Sequence, residues 1–264
     1  MRTYRQLAAV YDRLMEDMPY GEWLAFARTC WDRYGMPRTV ADLGCGTGNL
    51  AIPLARSGFT VFGIDLSADM LTVARAKWDG RDRETGGPGA NAARAAERGS
   101  VRWLQQDMRS WALAEPVDAA ISFCDCLNYL TEPEDVVAAF RSTFAGLAPG
   151  GLFLFDVHAP RQLERYAEEQ PFVYDERGVA YLWTCEYHPE RSEIRHNLTF
   201  FVREEDDLYR RFTETHTQRA YAADWLAAQL TVTGFEVLHV LADFRWEAPD
   251  EDAERLFFVA RKPG

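Results

Sequence analysis

ADLGCGTGNL, residues 41–50, places glycines at 44, 46 and 48 directly behind an apolar run that carries one carboxylate, Asp42. Glycine gives up more backbone entropy on folding than any other residue, so three at alternate positions need a cause. A strand that enters Gly44-Cys45-Gly46-Thr47-Gly48 and leaves as a helix turns tightly, and its backbone N–H groups approach a ligand with no Cβ in the way. That is nucleotide or nucleoside geometry. The Lys-Ser/Thr pair of an ATPase phosphate loop is missing, and the dinucleotide pattern G-x-G-x-x-G fails because Asn49 stands where its third glycine belongs.

Around this stretch the chain alternates short apolar runs with helical spacings: TVADLG, TVFGID, VRWLQQD, VDAAISF and GLFLFDV, each ending near an acid or a glycine. Such alternation predicts βαβ units and a parallel sheet buried on both faces. Upstream, Leu7, Val10, Leu14 and Met18, then Trp23, Phe26, Cys30 and Tyr34, recur at helical spacing, with a turn at Met18-Pro19-Tyr20-Gly21 between two helices. Residues 78–100 are rich in Gly, Arg and Ala and bury little, which reads as an excursion with at most a short helix. After Pro160 three stretches alternate polar and apolar residues, an antiparallel layer with one wet face. ADWLAAQLTVTGF then reads as a helix ending at Gly234, and two closing strands return the chain to the parallel core.

Composition narrows the function classes. The chain has 264 residues, 47% of them hydrophobic, enough for one sizeable core with an appendage. A net charge of −12 disfavours nucleic acid and anionic membrane as partners. Five cysteines (30, 45, 124, 126 and 185) contain no C-x-x-C pair, which speaks against a disulfide framework and a zinc site and for a reducing cytoplasm. No metal site and no membrane span are expected.

VADLGCGTGNL resembles the cofactor loop of class I S-adenosylmethionine-dependent methyltransferases, and AAVYDRLMEDMPYGEWLAF resembles the helical lid of a bacterial small-molecule subgroup of that family. The resemblance implies an α/β, doubly wound Rossmann-like sheet of seven mostly parallel strands in the order 3-2-1-4-5-7-6, with a small antiparallel insertion. The expected division is a lid over 1–37, a cofactor-binding core over 38–160 and 218–264, and an insertion over 161–217 that covers the acceptor. The implied cofactor is S-adenosylmethionine, leaving as S-adenosylhomocysteine. By the same resemblance Gly44, Cys45 and Gly46 face its methionine part and Asp42 helps hold its amino group. A carboxylate there also complements a sulfonium where it would repel a pyrophosphate. Asp65 is expected to accept both ribose hydroxyls, Leu66 and Met70 to line the adenine side, Asp107 and Met108 to meet the base, and Phe123 and Cys124 to close the pocket from the fourth strand. Tyr11, Tyr20 and Trp23 are expected to cap it.

Pro53 falls six residues after Thr47, so the helix behind the glycines either starts late or is kinked. Candidate general bases are Asp156 and His158 after the fifth strand and His216 in the antiparallel layer, where Glu214, His216 and Gln218 share one face. The C-D-C at 124–126 reads as buried thiols. The expected activity is in-line methyl transfer to a small-molecule acceptor. A nicotinamide-dependent oxidoreductase, which would share Asp65, and a non-catalytic cofactor-binding regulator are the alternatives; both a monomer and a homodimer are compatible with the sequence.

Overall fold

The computed structural model describes residues 8–85, 99–176, 178–204 and 208–264. Most of the 78–100 excursion lies outside the described residues. Its first part continues a helix that runs from Ala68 to Thr85.

Two sheets organise the chain. The larger has seven strands: β1 Thr39–Leu43, β2 Thr60–Asp65, β3 Ser100–Gln105, β4 Val117–Ser122, β5 Leu147–His158, β10 Glu236–Ala242 and β11 Arg255–Arg261. Their order is β3-β2-β1-β4-β5-β11-β10, the doubly wound arrangement expected from sequence. β1 to β5 pair in parallel, while β11 runs antiparallel to both β5 and β10. Alternate residues feed opposite faces. Ala41, Leu43, Phe153, Phe155 and Phe258 join one core layer, whereas Val40, Leu152, Leu154, Phe257 and Val259 join Trp23, Phe26 and Trp31 in the other. Burial on both sides is what makes these strands read as continuous apolar runs.

The smaller sheet is antiparallel, with β6 Phe172–Glu176, β7 Val179–His188, β8 Glu193–Arg203 and β9 Tyr209–Arg219 in that order. Along β9, Phe212, Glu214, His216 and Gln218 are buried. The sheet's inner face therefore combines apolar and polar side chains. Helix α1, Ala8–Leu14, lays Val10, Tyr11 and Leu14 against Val179, Phe200, Val202 and Phe212 of this sheet.

The helix after the glycines, α3, spans Ala51–Arg56, so Pro53 stands in its first turn, where a missing N–H costs nothing. Late starting, not kinking, accommodates it. Among the described residues no helix is long and apolar enough to cross a membrane.

The Trp103 ring lies flat on two glycines: a Cβ at Gly48 would sit 2.5 Å from its Cη2 and one at Gly63 2.5 Å from its Cε3. Gly63 has ordinary backbone angles, so its lack of a side chain serves packing alone. Gly63→Ala is expected to destabilise the fold by about 1–3 kcal/mol through overpacking, measured by urea unfolding, and Trp103→Leu in the same chain should recover part of the loss. An undiminished midpoint for Gly63→Ala alone would contradict this contact.

Candidate active site

The parallel strands end on one edge, where the sheet order reverses between β1 and β4. At Gly44, Gly46 and Gly48 φ is +76°, +53° and +81°, so all three glycines occupy the left-handed region. Each has its own neighbour. A Cβ at Gly44 would meet Cys126 Sγ at 2.6 Å, one at Gly48 would strike Trp103, and one at Gly46 would point into open space. The turn is anchored by the Gly44 and Cys45 N–H groups, which donate to the Ile64 carbonyl at 2.8 and 3.1 Å.

Two strand-end carboxylates flank it. Asp65 accepts from the Gly46 N–H at 2.8 Å through Oδ2 and from the Ser67 N–H at 2.7 Å through Oδ1. Burial still raises its pKa against these two bonds. Asp42 is buried, and its Oδ2 has no hydrogen-bond partner. Burial, and after it the neighbouring Asp65 charge, push its pKa up to about 7, opposed by a bond from the Ala51 backbone. Burial first, and then the Asp42 and Asp65 charges, raise the Cys45 thiol well above its ordinary pKa.

The opposite wall is the turn after β4. Cys124 and Asp125 both adopt positive φ, 60° and 52°, an uncommon pair for residues with a Cβ. Asp156, at the end of β5, holds them there: its carboxylate accepts from the Cys124 N–H at 2.8 Å, the Asp125 N–H at 3.2 Å, the Trp23 indole at 2.8 Å and the Arg255 guanidinium. Arg255 also donates to Asp125 Oδ1 at 3.1 Å. Cys126, next in the turn, lies with Sγ 3.4 Å from the Gly44 carbonyl.

Helix α1 is tied to the glycine turn. Asp12 accepts from Thr47 Oγ1 at 2.6 Å and Asn49 Nδ2 at 3.3 Å and pairs with Lys77 at 2.8 Å. Tyr20 hydrogen-bonds Asn49 and Tyr11, and burial pushes its hydroxyl up to about 12. Tyr11 is raised too, by burial first and then by its proximity to Tyr20, Cys124 and Tyr129. Tyr11 and Tyr20 thus stand between the glycine turn and the β4 turn.

The remaining expected contacts divide. Met108 approaches the crevice, its Cε 3.5 Å from where a Gly44 Cβ would be. Met70 is buried and Leu66 is half exposed. The Asp107 carboxylate is occupied by Arg109, which donates to it from backbone and side chain at 2.6 to 3.1 Å and holds its pKa down. Phe123 turns into the core, its ring centroid 6.3 Å from Phe26 and 6.5 Å from Phe257. Trp23 is likewise buried beneath the crevice, edge-on to Phe244, and does not cap it.

Of the three candidate bases, Asp156 is saturated with donors and fully buried. His158 places Nε2 3.3 Å from Asp125 Oδ1, and burial lowers its pKa to about 4. His216 sits on the inner face of β9 with its ring edge-on to Tyr129 at 6.0 Å, and burial lowers its pKa to about 4 as well. Sequence reasoning missed Asp12, Asp125, Tyr129, His196 and Arg255. Arg255 had a visible signal: it is the lone cation opening the apolar run RLFFV.

A switch point with a glycine turn between two carboxylates belongs to the doubly wound, cofactor-binding class of α/β proteins. The methyltransferase-domain family matches residues 5–240, and this chain belongs to it. A protein of Geobacillus sp. (strain WCH70) named as a methyltransferase is 37% identical over 262 residues, 98% of this chain and 100% of its own length. YqeM of Bacillus subtilis (strain 168), likewise named as a methyltransferase, is 35% identical over 98% of this chain and 97% of its own. Among solved structures, an S-adenosylmethionine-dependent methyltransferase from Clostridium acetobutylicum ATCC 824 shares the fold, with TM-score 0.83 over 99% of each chain at 24% identity.

The residues present fit S-adenosylmethionine. The unpartnered Asp42 oxygen is a buried acceptor suited to an ammonium, the space above Gly46 is what a Cβ would fill, and among the described residues no cation perturbs Asp42. Binding a cation there must lower the Asp42 pKa from its value near 7. Between the lowered and the free value the free protein holds the extra proton, so binding releases it and is weaker in acid. Affinity for S-adenosylmethionine should rise by up to about ten-fold per pH unit below about pH 7, and Asp42→Asn should flatten that slope. Calorimetry in buffers of different ionisation heat checks it; wild-type binding without proton release would remove this role.

Proposed function

We propose that this protein transfers the methyl group of S-adenosylmethionine, in line, to a small-molecule acceptor held between the strand ends and the antiparallel sheet. The observation that carries the reading is the buried Asp42 carboxylate, with one oxygen unpartnered, beside the glycine turn. Asp42 would hold the ammonium, Gly44, Cys45 and Gly46 the methionine part, Asp65 the ribose, and Met70 and Met108 the adenine side, with Leu66 at its exposed edge. Asp65 would exchange the Gly46 or Ser67 N–H for hydroxyl donors. Asp107 is a weaker adenine contact than expected, because Arg109 already occupies its carboxylate.

When bound, the donor supplies a methyl group already activated by its sulfonium. The chain's share is then orientation and exclusion of water, which together can supply about 7–11 kcal/mol at best. Tyr11, Tyr20 and Cys124 would wall off water, and Tyr129 with the inner face of β9 would orient the acceptor. A base is needed only for an acceptor that arrives protonated. Asp156 and His158 are committed to the β4 turn, so His216, neutral at pH 7, is the candidate to take that proton. Two solved neighbours of the same fold are a sugar N-methyltransferase from Streptoalloteichus and the amino pentose methyltransferase CalS10, which supports an acceptor of that size.

The test has two arms. Titration should give saturable binding of S-adenosylhomocysteine and none of NADH, with Asp65→Ala weakening the former by at least about ten-fold through lost charge-assisted bonds. Methyl-labelled cofactor incubated with a metabolite extract should yield a labelled small molecule. Saturable nicotinamide binding alone would select the oxidoreductase; cofactor binding without any labelled product would select the regulator.

A further inference from the structure

A one-way chain of hydrogen bonds crosses from the antiparallel sheet to the turn after β4. Trp183 donates from its indole to His196 Nδ1 at 3.0 Å, with Cys185 Sγ 3.3 Å from the same nitrogen. An indole N–H can only donate. His196 Nδ1 is therefore the bare acceptor and its proton sits on Nε2, which faces Gln218 Oε1 at 3.2 Å. That fixes the amide: Gln218 presents its NH2 group to Asp125 Oδ2, at 2.7 Å. The other Asp125 oxygen faces Arg255 and His158, and Arg255 continues to Asp156.

Asp125 is the left-handed residue beside Cys124, and Cys126 behind it reaches the glycine turn. Gln218 is two residues from His216 on the same buried face of β9. Its amide thus links the strand that would face the acceptor to the wall that would face the methyl donor.

We infer that Gln218 is a positioning residue: by holding Asp125 Oδ2 it keeps the Cys124–Cys126 turn in its left-handed conformation, and so ties the donor pocket to the acceptor-facing strand. The inference rests on the methyltransferase reading above. The Gln218 amide is spent on His196 and Asp125, so it acts on the site through Asp125. The strand itself does not depend on it, since Asn128 Nδ2 donates to the Arg219 carbonyl at 2.9 Å and Arg219 donates to the Thr131 carbonyl at 2.9 Å.

Two variants separate this role from a packing role. Gln218→Leu removes the donor. Gln218→Glu keeps an acceptor for His196 but sets a second carboxylate against Asp125 until it is protonated, when its O–H restores a donor. The probe is S-adenosylhomocysteine, titrated calorimetrically at pH 8 and pH 5.5, with each variant divided by wild type at the same pH so that Asp42, Asp156, Arg255 and the histidines 158, 196 and 216 cancel. The expected loss is about ten-fold for Gln218→Leu at both pH values, in the range of coupling between linked sites. For Gln218→Glu it is about ten-fold at pH 8 and shrinks toward none at pH 5.5. Variants that bind as wild type at pH 8, or a Gln218→Glu deficit that persists in acid, would overturn the inference while leaving the methyltransferase reading intact. A wild-type protein that does not bind the probe would overturn both.

Discussion

The Asp156 carboxylate is the point on which the site depends. It is fully buried, and a buried charge stripped of partners costs several kcal/mol. Its donors come from the helix Tyr20–Tyr34, from two consecutive peptides of the β4 turn, and from β11. Because Arg255 bridges it to Asp125, neither acid is left uncompensated, and the same bonds offset the strain of two left-handed residues, about 1–3 kcal/mol each. The geometry explains why a strand-end acid that sequence suggests as a base does another job. With its lone pairs used by these four donors, Asp156 shapes the wall.

The electrostatics of the crevice have one sign. Asp42 and Asp65 lie side by side, and burial together with the Asp65 charge raises the Asp42 pKa to about 7, while among the described residues no cation perturbs it. On the other wall the Arg255 charge is spent on two carboxylates, and the histidines are kept neutral by burial. An arrangement like this favours a cationic donor for the same reason that it disfavours a pyrophosphate.

The fold was legible because its causes are local. Doubly buried strands give apolar runs, crossover helices give 3.6-residue spacing, and a half-wet antiparallel layer gives alternation; each survives in the sequence. The third glycine is different. Its partner, Trp103, lies on β3, and no pattern near residue 48 announces a ring from there. Asp156 escaped for a similar reason, since Trp23 is 133 residues away in sequence. Phe123, by contrast, was readable: Ala119, Ile121 and Phe123 share strand parity, and all three belong to the Val40 face of the core. Its neighbour Cys124 escapes that parity because the chain leaves the sheet there and turns left-handed.

Helix α1 carries the last step, because its two faces bind unlike things. Asp12 is fixed to Thr47, Asn49 and Lys77 on the glycine side, while Val10 and Leu14, one turn apart, press on Val179, Phe200 and Phe212 of the antiparallel sheet. Withdrawing the helix would expose that apolar seam and strip Lys77 of its carboxylate at once. Both sets of contacts fall on the described part of α1, Ala8–Leu14, and hold it between the glycine turn and the antiparallel sheet.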